Sequence, residues 1–119
     1  MSWNESEIAA ARHAILQAAQ EMLAGKLAYI EGARTIHASR WAAKVGERDS
    51  DLDPFTGIVS ETDALPTEQT RPLWQAAALQ RLQSEIDRLE AWAKQFGEPH
   101  CRNLVERFSS GQIRLEPRP

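Results

Sequence analysis

The chain has 119 residues, 42% of them hydrophobic and 26% charged, which predicts one soluble domain with a single modest core. Its net charge of −3 and pI near 5.6 argue against a nucleic-acid binder, which normally presents a strongly basic face. Apolar runs are too short for a membrane span or an export signal, and a lone cysteine, Cys101, excludes an intrachain disulfide and favours a reducing, cytoplasmic setting.

The first predicted helix begins at Ser2, Asn4 or Ser6, each of which is a suitable N-cap. It ends at Gly25, a residue type that commonly follows the last helical turn. Apolar residues recur along it at three- and four-residue steps, namely Ile8, Ala11, Ile15, Ala19, Met22 and Leu23.

A second predicted helix runs from Leu27 towards Val45 and forms an antiparallel hairpin with the first, because the connection is short. Glu31 and Arg34 are three residues apart on this helix and can pair, while Arg40 can turn towards the next segment. We predict that Glu31, Arg34 and Arg40 form a structural clamp on residues 49–63. A clamp shielded from water would be strongly destabilising to break.

The segment that follows, residues 47–68, holds seven carboxylates and one arginine. Its net charge is therefore −6, and the net charge of the rest of the chain is +3. Pro54 disfavours a helical conformation at Asp53, which predicts an ordered acidic loop pinned by Phe55, Ile58 and Val59. The spacing of Ser60 and Asp63 resembles a capping box and predicts one helical turn at 61–65.

The third predicted helix starts at Pro72, because proline suits the first helical position. The sequence Gly97-Glu98-Pro99 predicts a break, followed by a short fourth helix or a kinked continuation. The fold class is therefore all-α, a bundle of three to four helices with an acidic loop between helices 2 and 3. Residues 1–110 form the domain, and 111–119 a flexible tail. The third helix carries a heptad seam of Leu79, Leu82, Ile86, Leu89, Ala93 and Phe96.

None of the motifs in the acidic segment completes a catalytic or metal site. Counted from Asp49, a calcium loop of the EF-hand type would need glycine and glutamate where Pro54 and Ser60 stand. Glu61 and Asp63 are two residues apart and point in different directions on a helical turn, which does not favour a catalytic pair. We predict no catalytic residue, metal ligand or cofactor. The main alternative is a metal-assisted hydrolase or metal-binding protein using Asp51, Asp53, Glu61, Asp63 and His37.

The leading prediction is a binding module whose helices display the acidic segment to a protein partner with a basic surface, without nucleic acid or membrane. Trp92 lies beside the heptad seam and is expected to be partly exposed, as an aromatic contact. A homodimer paired through the 79–96 seam is a further alternative. The predicted partner-binding residues are Asp49, Asp51, Asp53, Glu61, Asp63 and Trp92.

Two short motifs carry a resemblance to known sequences. Glu31-Gly32-Ala33-Arg34 and the run from Ser60 to Pro66, followed by Trp74, resemble a group of small helical bacterial proteins of unknown function. The likeness spans roughly residues 20 to 108 and implies a Glu-Gly-x-Arg helix, an Asp-rich segment, a Ser-Glu-Thr-Asp-x-Leu-Pro loop and a long charged helix. In size and acidity the chain is also similar to immunity proteins, which implies a toxin as the partner.

Overall fold

The computed structural model describes residues 4–45, 48–66 and 70–113. Within these ranges the chain is all-helical and contains no strand, as predicted. Glu47 and Glu68 of the acidic segment lie outside the described residues. The helices are α1 (Glu5–Leu23), α2 (Tyr29–Ser39), α3 (Asp53–Thr62) and α4 (Ala76–Ser110), with a 3-10 turn at Arg71–Leu73.

The first two helices form a close hairpin. Asn4 is the N-cap of α1, and Gly25 follows the helix with a φ of +76°, a left-handed conformation that glycine adopts without strain. Gly32 of α2 faces Met22 of α1, and a Cβ atom at this glycine would clash with the Met22 side chain. The absence of a side chain at Gly32 therefore sets how closely α1 and α2 approach.

A helix occupies the middle of the acidic segment, so the predicted loop over the whole of residues 47–68 is not confirmed. Helix α3 occupies Asp53–Thr62, so the single turn predicted at 61–65 overlaps only the last two residues of a longer helix. Pro54 lies in the first turn of α3, where a backbone N–H group has no acceptor within the helix. The proline therefore costs this helix no hydrogen bond and is compatible with its start. Phe55 and Ile58 are fully buried and fix α3 to the core.

The predicted break at Gly97-Glu98-Pro99 is also wrong, because α4 continues through it to Ser110. Pro99 removes one backbone hydrogen bond, but Gly97 is buried and allows close packing. A Cβ atom at Gly97 would lie 3.1 Å from the Phe55 ring and 3.3 Å from Ile58. The glycine therefore marks the point where α3 crosses α4, and contacts there offset the lost bond.

The three shorter helices pack around the C-terminal part of α4. Helix α3 runs antiparallel to α4, since Asp51 contacts Asn103 and Phe55 lies against Gly97. The core contains Ala93, Cys101, Leu104 and Phe108 of α4, together with residues from all three other helices. None of the described helices is both long enough and apolar enough to span a membrane.

The beginning of the predicted tail is part of the fold. Gly111 ends α4 with a φ of +83°, and Ile113 packs against the core. The backbone carbonyl of Ile113 also accepts a hydrogen bond from the Arg107 guanidinium. Residues 114–119 of the predicted tail lie outside the described residues.

Candidate functional site

Asp49 is held inside the protein by Arg107 of α4. Its side chain is only 1% exposed, and its two oxygens accept hydrogen bonds from the two terminal guanidinium nitrogens at 2.9 and 2.7 Å. One oxygen also accepts bonds from the backbone N–H groups of Asp51 and Leu52 at 2.9 and 3.1 Å. The Asp49 carboxylate therefore shapes the turn that leads into α3 and anchors it to the end of α4.

Asp51 completes the same network. It is 5% exposed, and one oxygen accepts a bond from Arg107 at 2.9 Å. The other oxygen lies 2.9 Å from Nδ1 of His100 and accepts a bond from the Asn103 amide at 3.0 Å. Two buried carboxylates thus share one arginine, and a histidine and an amide satisfy the remaining oxygen.

The network changes the ionisation of its members. Burial raises the pKa of Asp49, but hydrogen bonds from Arg107 and from two backbone amides outweigh it, and the pKa lies below the ordinary aspartate value. The hydrogen bond to Asp49 raises the pKa of Arg107 against the opposing effect of burial. Both groups are therefore held in their charged forms.

The expectation that Asp49 and Asp51 are displayed to a partner is wrong. Both are enclosed in internal ion pairs, because a buried carboxylate needs a cation and hydrogen-bond donors to offset its lost hydration. Asp53 is partly exposed, but one of its oxygens accepts a bond from Arg40 at 2.9 Å and the other lies 3.7 Å from Arg48. Asp49 and Asp51 are therefore enclosed within the fold, and the charge of the partly exposed Asp53 is paired with two arginines.

The arginines of α2 contact the segment that was predicted to be clamped. Arg34 pairs with Glu31 at 3.0 Å and donates to the backbone carbonyls of Thr62 and Leu65 at 2.9 and 3.2 Å. It thereby satisfies acceptors at the C-terminal end of α3. Arg40 is buried and donates to Thr56 as well as to Asp53, so the two arginines join α2 to both ends of α3.

The other three predicted partner-binding residues lie at or near the surface at the C-terminal end of α3. Glu61 and Asp63 are exposed, and neither has an ion-pair partner in the described structure. Glu61 and Trp92 line a shallow cavity of about 270 Å³ together with Arg88 and Leu89. Arg88 is already bonded to Glu85, its neighbour one turn away, so its charge is locally compensated.

Phe96 extends this surface along α4. Its ring stacks on Trp92 with centroids 5.4 Å apart and an angle of 9° between the planes. It is 44% exposed, whereas Trp92 is half-buried and packs against the core. We call the surface formed by Glu61, Leu89, Trp92 and Phe96 the α3–α4 face. Its centre is aromatic, and an uncompensated carboxylate lies at its edge.

The carboxylates of the hydrolase alternative are not brought together. Asp51 and Asp53 are bound by arginines near the start of α3, whereas Glu61 and Asp63 lie about three helical turns away. His37 contacts the Thr56 hydroxyl at 3.0 Å. Across residues 4–45, 48–66 and 70–113, no three His, Cys, Asp or Glu side chains are grouped so that they could hold a metal ion.

Arg107, His100 and Asn103, which bind the buried aspartates, were not predicted from the sequence. A signal for them was present, since spacings of three and four residues place all three on one side of α4. Three hydrogen-bonding side chains on one stripe, close to the core-facing Cys101 and Leu104, could have indicated an internal polar network. The seam pattern includes Phe96 but gives no indication of its exposure.

Comparisons with protein-family models, with curated proteins and with solved structures found no match. The resemblance carried by residues 31–34 and 60–66 therefore stays a prediction. Function is accordingly inferred from the geometry of this chain alone.

Proposed function

We propose that the protein is a stoichiometric protein-binding module that engages its partner through the α3–α4 face. The observation that carries this proposal is the stacked Trp92–Phe96 pair, left accessible beside an uncompensated Glu61. Exposed aromatic residues that are already ordered lose little entropy on binding and often dominate interface energies. The face thus combines an apolar centre with a charged edge.

The charge at the edge favours a basic partner. Glu61 is in the last turn of α3 and Asp63 is its C-cap, at the end where the helix dipole is negative and carboxylates are unfavourable. No basic residue lies in the last turn of α3. Arg34 of α2 donates to backbone carbonyls at this end, but its ion pair is with Glu31 and not with either of these two carboxylates. A lysine or arginine supplied by a partner would relieve this repulsion, so the partner is expected to present a basic side chain next to an apolar one.

Such a partner would bind in two steps with different physical origins. Attraction to Glu61 and Asp63 would speed the encounter and weaken as salt is added. Burial of Phe96 and the exposed edge of Trp92 would then supply most of the affinity and slow dissociation. That the partner is a toxin, as size and acidity suggest, stays a prediction.

The test compares baits that differ at one position. Wild-type protein, Phe96→Ala and Trp41→Ala are used to capture proteins from cells that produce this chain, and any captured protein is then purified and titrated by calorimetry. Trp41 is the matched control, because it is 59% exposed and lies beside Arg40, which bonds Asp53 at the opposite end of α3 from Glu61. Phe96→Ala is expected to weaken binding at least tenfold, while Trp41→Ala leaves it unchanged.

The electrostatic step has its own readout. Glu61→Gln is expected to lower the association rate of the purified pair at low salt and to flatten its dependence on salt concentration. Binding that is equally strong with Phe96→Ala and Glu61→Gln as with wild type would place the contact elsewhere and contradict the proposal. Failure of any protein to bind at a defined stoichiometry would contradict it as well.

A further inference from the structure

A row of rings runs along one flank of α4. Trp92, Phe96 and His100 follow one another at four-residue steps, a spacing that places them on one side of a helix. The Trp92 and Phe96 rings are stacked, and the His100 ring lies at 61° to Phe96 with centroids 6.4 Å apart. Asn103 and Arg107 continue this flank at steps of three and four residues. The row therefore extends about 12 Å along α4, from the α3–α4 face towards the C-terminal end of the helix.

Helix α3 leaves room beside this row. Thr56 bonds two side chains of α2, whereas Ile58 packs towards α4. Gly57 and Glu61 are one turn apart and share the flank of α3 that faces away from α2, and Glu61 lines the same cavity as Trp92. A Cβ atom at Gly57 would have no neighbour within 4 Å among the described residues. The flank of α3 beside the rings is therefore open, with a carboxylate at its end.

The last described residues of the chain lie at the other end of the same flank of α4. The Ile113 carbonyl accepts a hydrogen bond from Arg107, and the Ile113 side chain packs against the core. Residues 114–119 lie outside the described structure, and we call them the C-terminal segment. They read Arg-Leu-Glu-Pro-Arg-Pro. The C-terminal segment therefore starts on the flank of α4 that carries the row of rings.

The C-terminal segment has the chemistry that the α3–α4 face is expected to recognise. It places a basic residue next to an apolar one at Pro117-Arg118, and its two arginines and one glutamate give it a net charge of +1. Two prolines in six residues favour an extended conformation. Extended proline-containing segments bind surfaces lined with aromatic rings, because they lose little conformational entropy on binding. The segment is therefore complementary to a row of rings that has a carboxylate beside it.

The length of the C-terminal segment matches the distance to be covered. Phe96 stands eleven residues before Arg107, which is about 16 Å along the helix. An extended chain covers about 3.3 Å per residue, so Pro117 and Arg118 can lie about 13 and 17 Å beyond Ile113. Pro117 can therefore reach the Phe96 ring. The long side chain of Arg118 can extend further, towards the carboxylate at the end of α3.

We infer that the C-terminal segment docks on the α3–α4 face of its own chain, with Pro117 against Phe96 and Arg118 beside Glu61. An ion pair near the surface contributes little, so a partner with the same chemistry can displace the segment. The inference deepens the proposed function and rests on it for this consequence, which is competition between the segment and the partner. The docking itself needs no partner and is tested on the isolated chain.

NMR spectroscopy of the full chain in the absence of any partner tests the docking. Arg118→Glu is expected to shift the indole N–H resonance of Trp92 and the backbone amide resonance of Glu61, because it replaces an attraction by a repulsion. Arg114→Glu is the matched control, since it makes the same charge change at the start of the segment and should leave both resonances in place. Unchanged resonances in Arg118→Glu would overturn the inference.

Disulfide trapping in a glutathione buffer gives an independent readout. Gly57→Cys combined with Pro117→Cys is expected to form an intramolecular disulfide at least tenfold more readily than Thr35→Cys combined with Pro117→Cys. Thr35 is the control position, because it is exposed and lines the groove between α1 and α2. The native Cys101 is fully buried and does not compete. Equal trapping of the two pairs overturns the docking and leaves the proposed function standing. A docked segment in a chain that captures no protein would contradict the proposed function alone.

Discussion

Arg107 explains why the two aspartates before α3, Asp49 and Asp51, do not form an anionic surface. It bonds both oxygens of Asp49 and one of Asp51, and it is itself nearly buried. A buried arginine can satisfy two carboxylates because its planar guanidinium carries several donors in fixed directions. The distribution of charge along a sequence therefore does not give the distribution of charge on the surface.

The reactivity of the Cys101 thiol follows directly from its burial. Cys101 is fully buried against Met22, and burial raises the pKa of its thiol to about 12. The reactive thiolate is therefore almost absent at neutral pH, and reagents cannot reach the sulfur. A thiol reagent such as DTNB is expected to leave the folded protein unmodified at pH 8 and to modify it completely in denaturant. Rapid modification of the folded chain would contradict the burial of Cys101.

At the scale of the elements, repeated apolar spacings predicted helices correctly and single prolines did not predict their ends. The stripe on α1 and the seam on α4 predicted helices that the structure contains. Pro54 and Pro99 were both interpreted as helix breakers, yet one lies in the first turn of α3 and the other inside α4. Proline costs a helix one hydrogen bond at most positions, and packing such as that at Gly97 can offset it.

The partners of the polar side chains could not be predicted from the sequence in the same way. Glu90 stands four residues before Lys94, a spacing that favours an ion pair on the surface of a helix. Its oxygens instead accept bonds from the backbone N–H groups of Tyr29 and Ile30, at 2.6 and 3.0 Å. Helix α2 has Ala28 at its N-cap, which has no side-chain acceptor, so a carboxylate from another helix caps it.

This cap predicts an effect of Glu90 on stability. Glu90→Gln removes the negative charge from the positive end of α2 and is expected to lower the free energy of unfolding by about 1 kcal/mol. Glu85→Gln is the matched control, because Glu85 pairs with Arg88 on the exposed side of α4 and should cost less than about 0.5 kcal/mol. Urea denaturation measures both. Equal losses in the two variants would show that Glu90 does not cap α2.

At the scale of the whole molecule, the five carboxylates of the acidic segment that the structure describes have different roles. Asp49, Asp51 and Asp53 fasten the start of α3 to α4 and α2, while Glu61 and Asp63 remain uncompensated at the other end of α3. The all-α architecture followed from apolar periodicity, but this division depends on contacts between residues about 50 positions apart. A sequence pattern confined to the segment contains no information about those contacts.

The proposed binding surface depends on that division, because only carboxylates that the fold does not use are available to a partner. Equilibrium urea unfolding of Asp49→Asn and Glu61→Gln, measured side by side, tests the division most directly. Asp49→Asn leaves Arg107 buried with part of its charge unmatched, and we expect a loss of about 3 kcal/mol in the free energy of unfolding. Glu61→Gln is expected to change it by no more than about 0.5 kcal/mol. Equal effects of the two substitutions would contradict this division of roles.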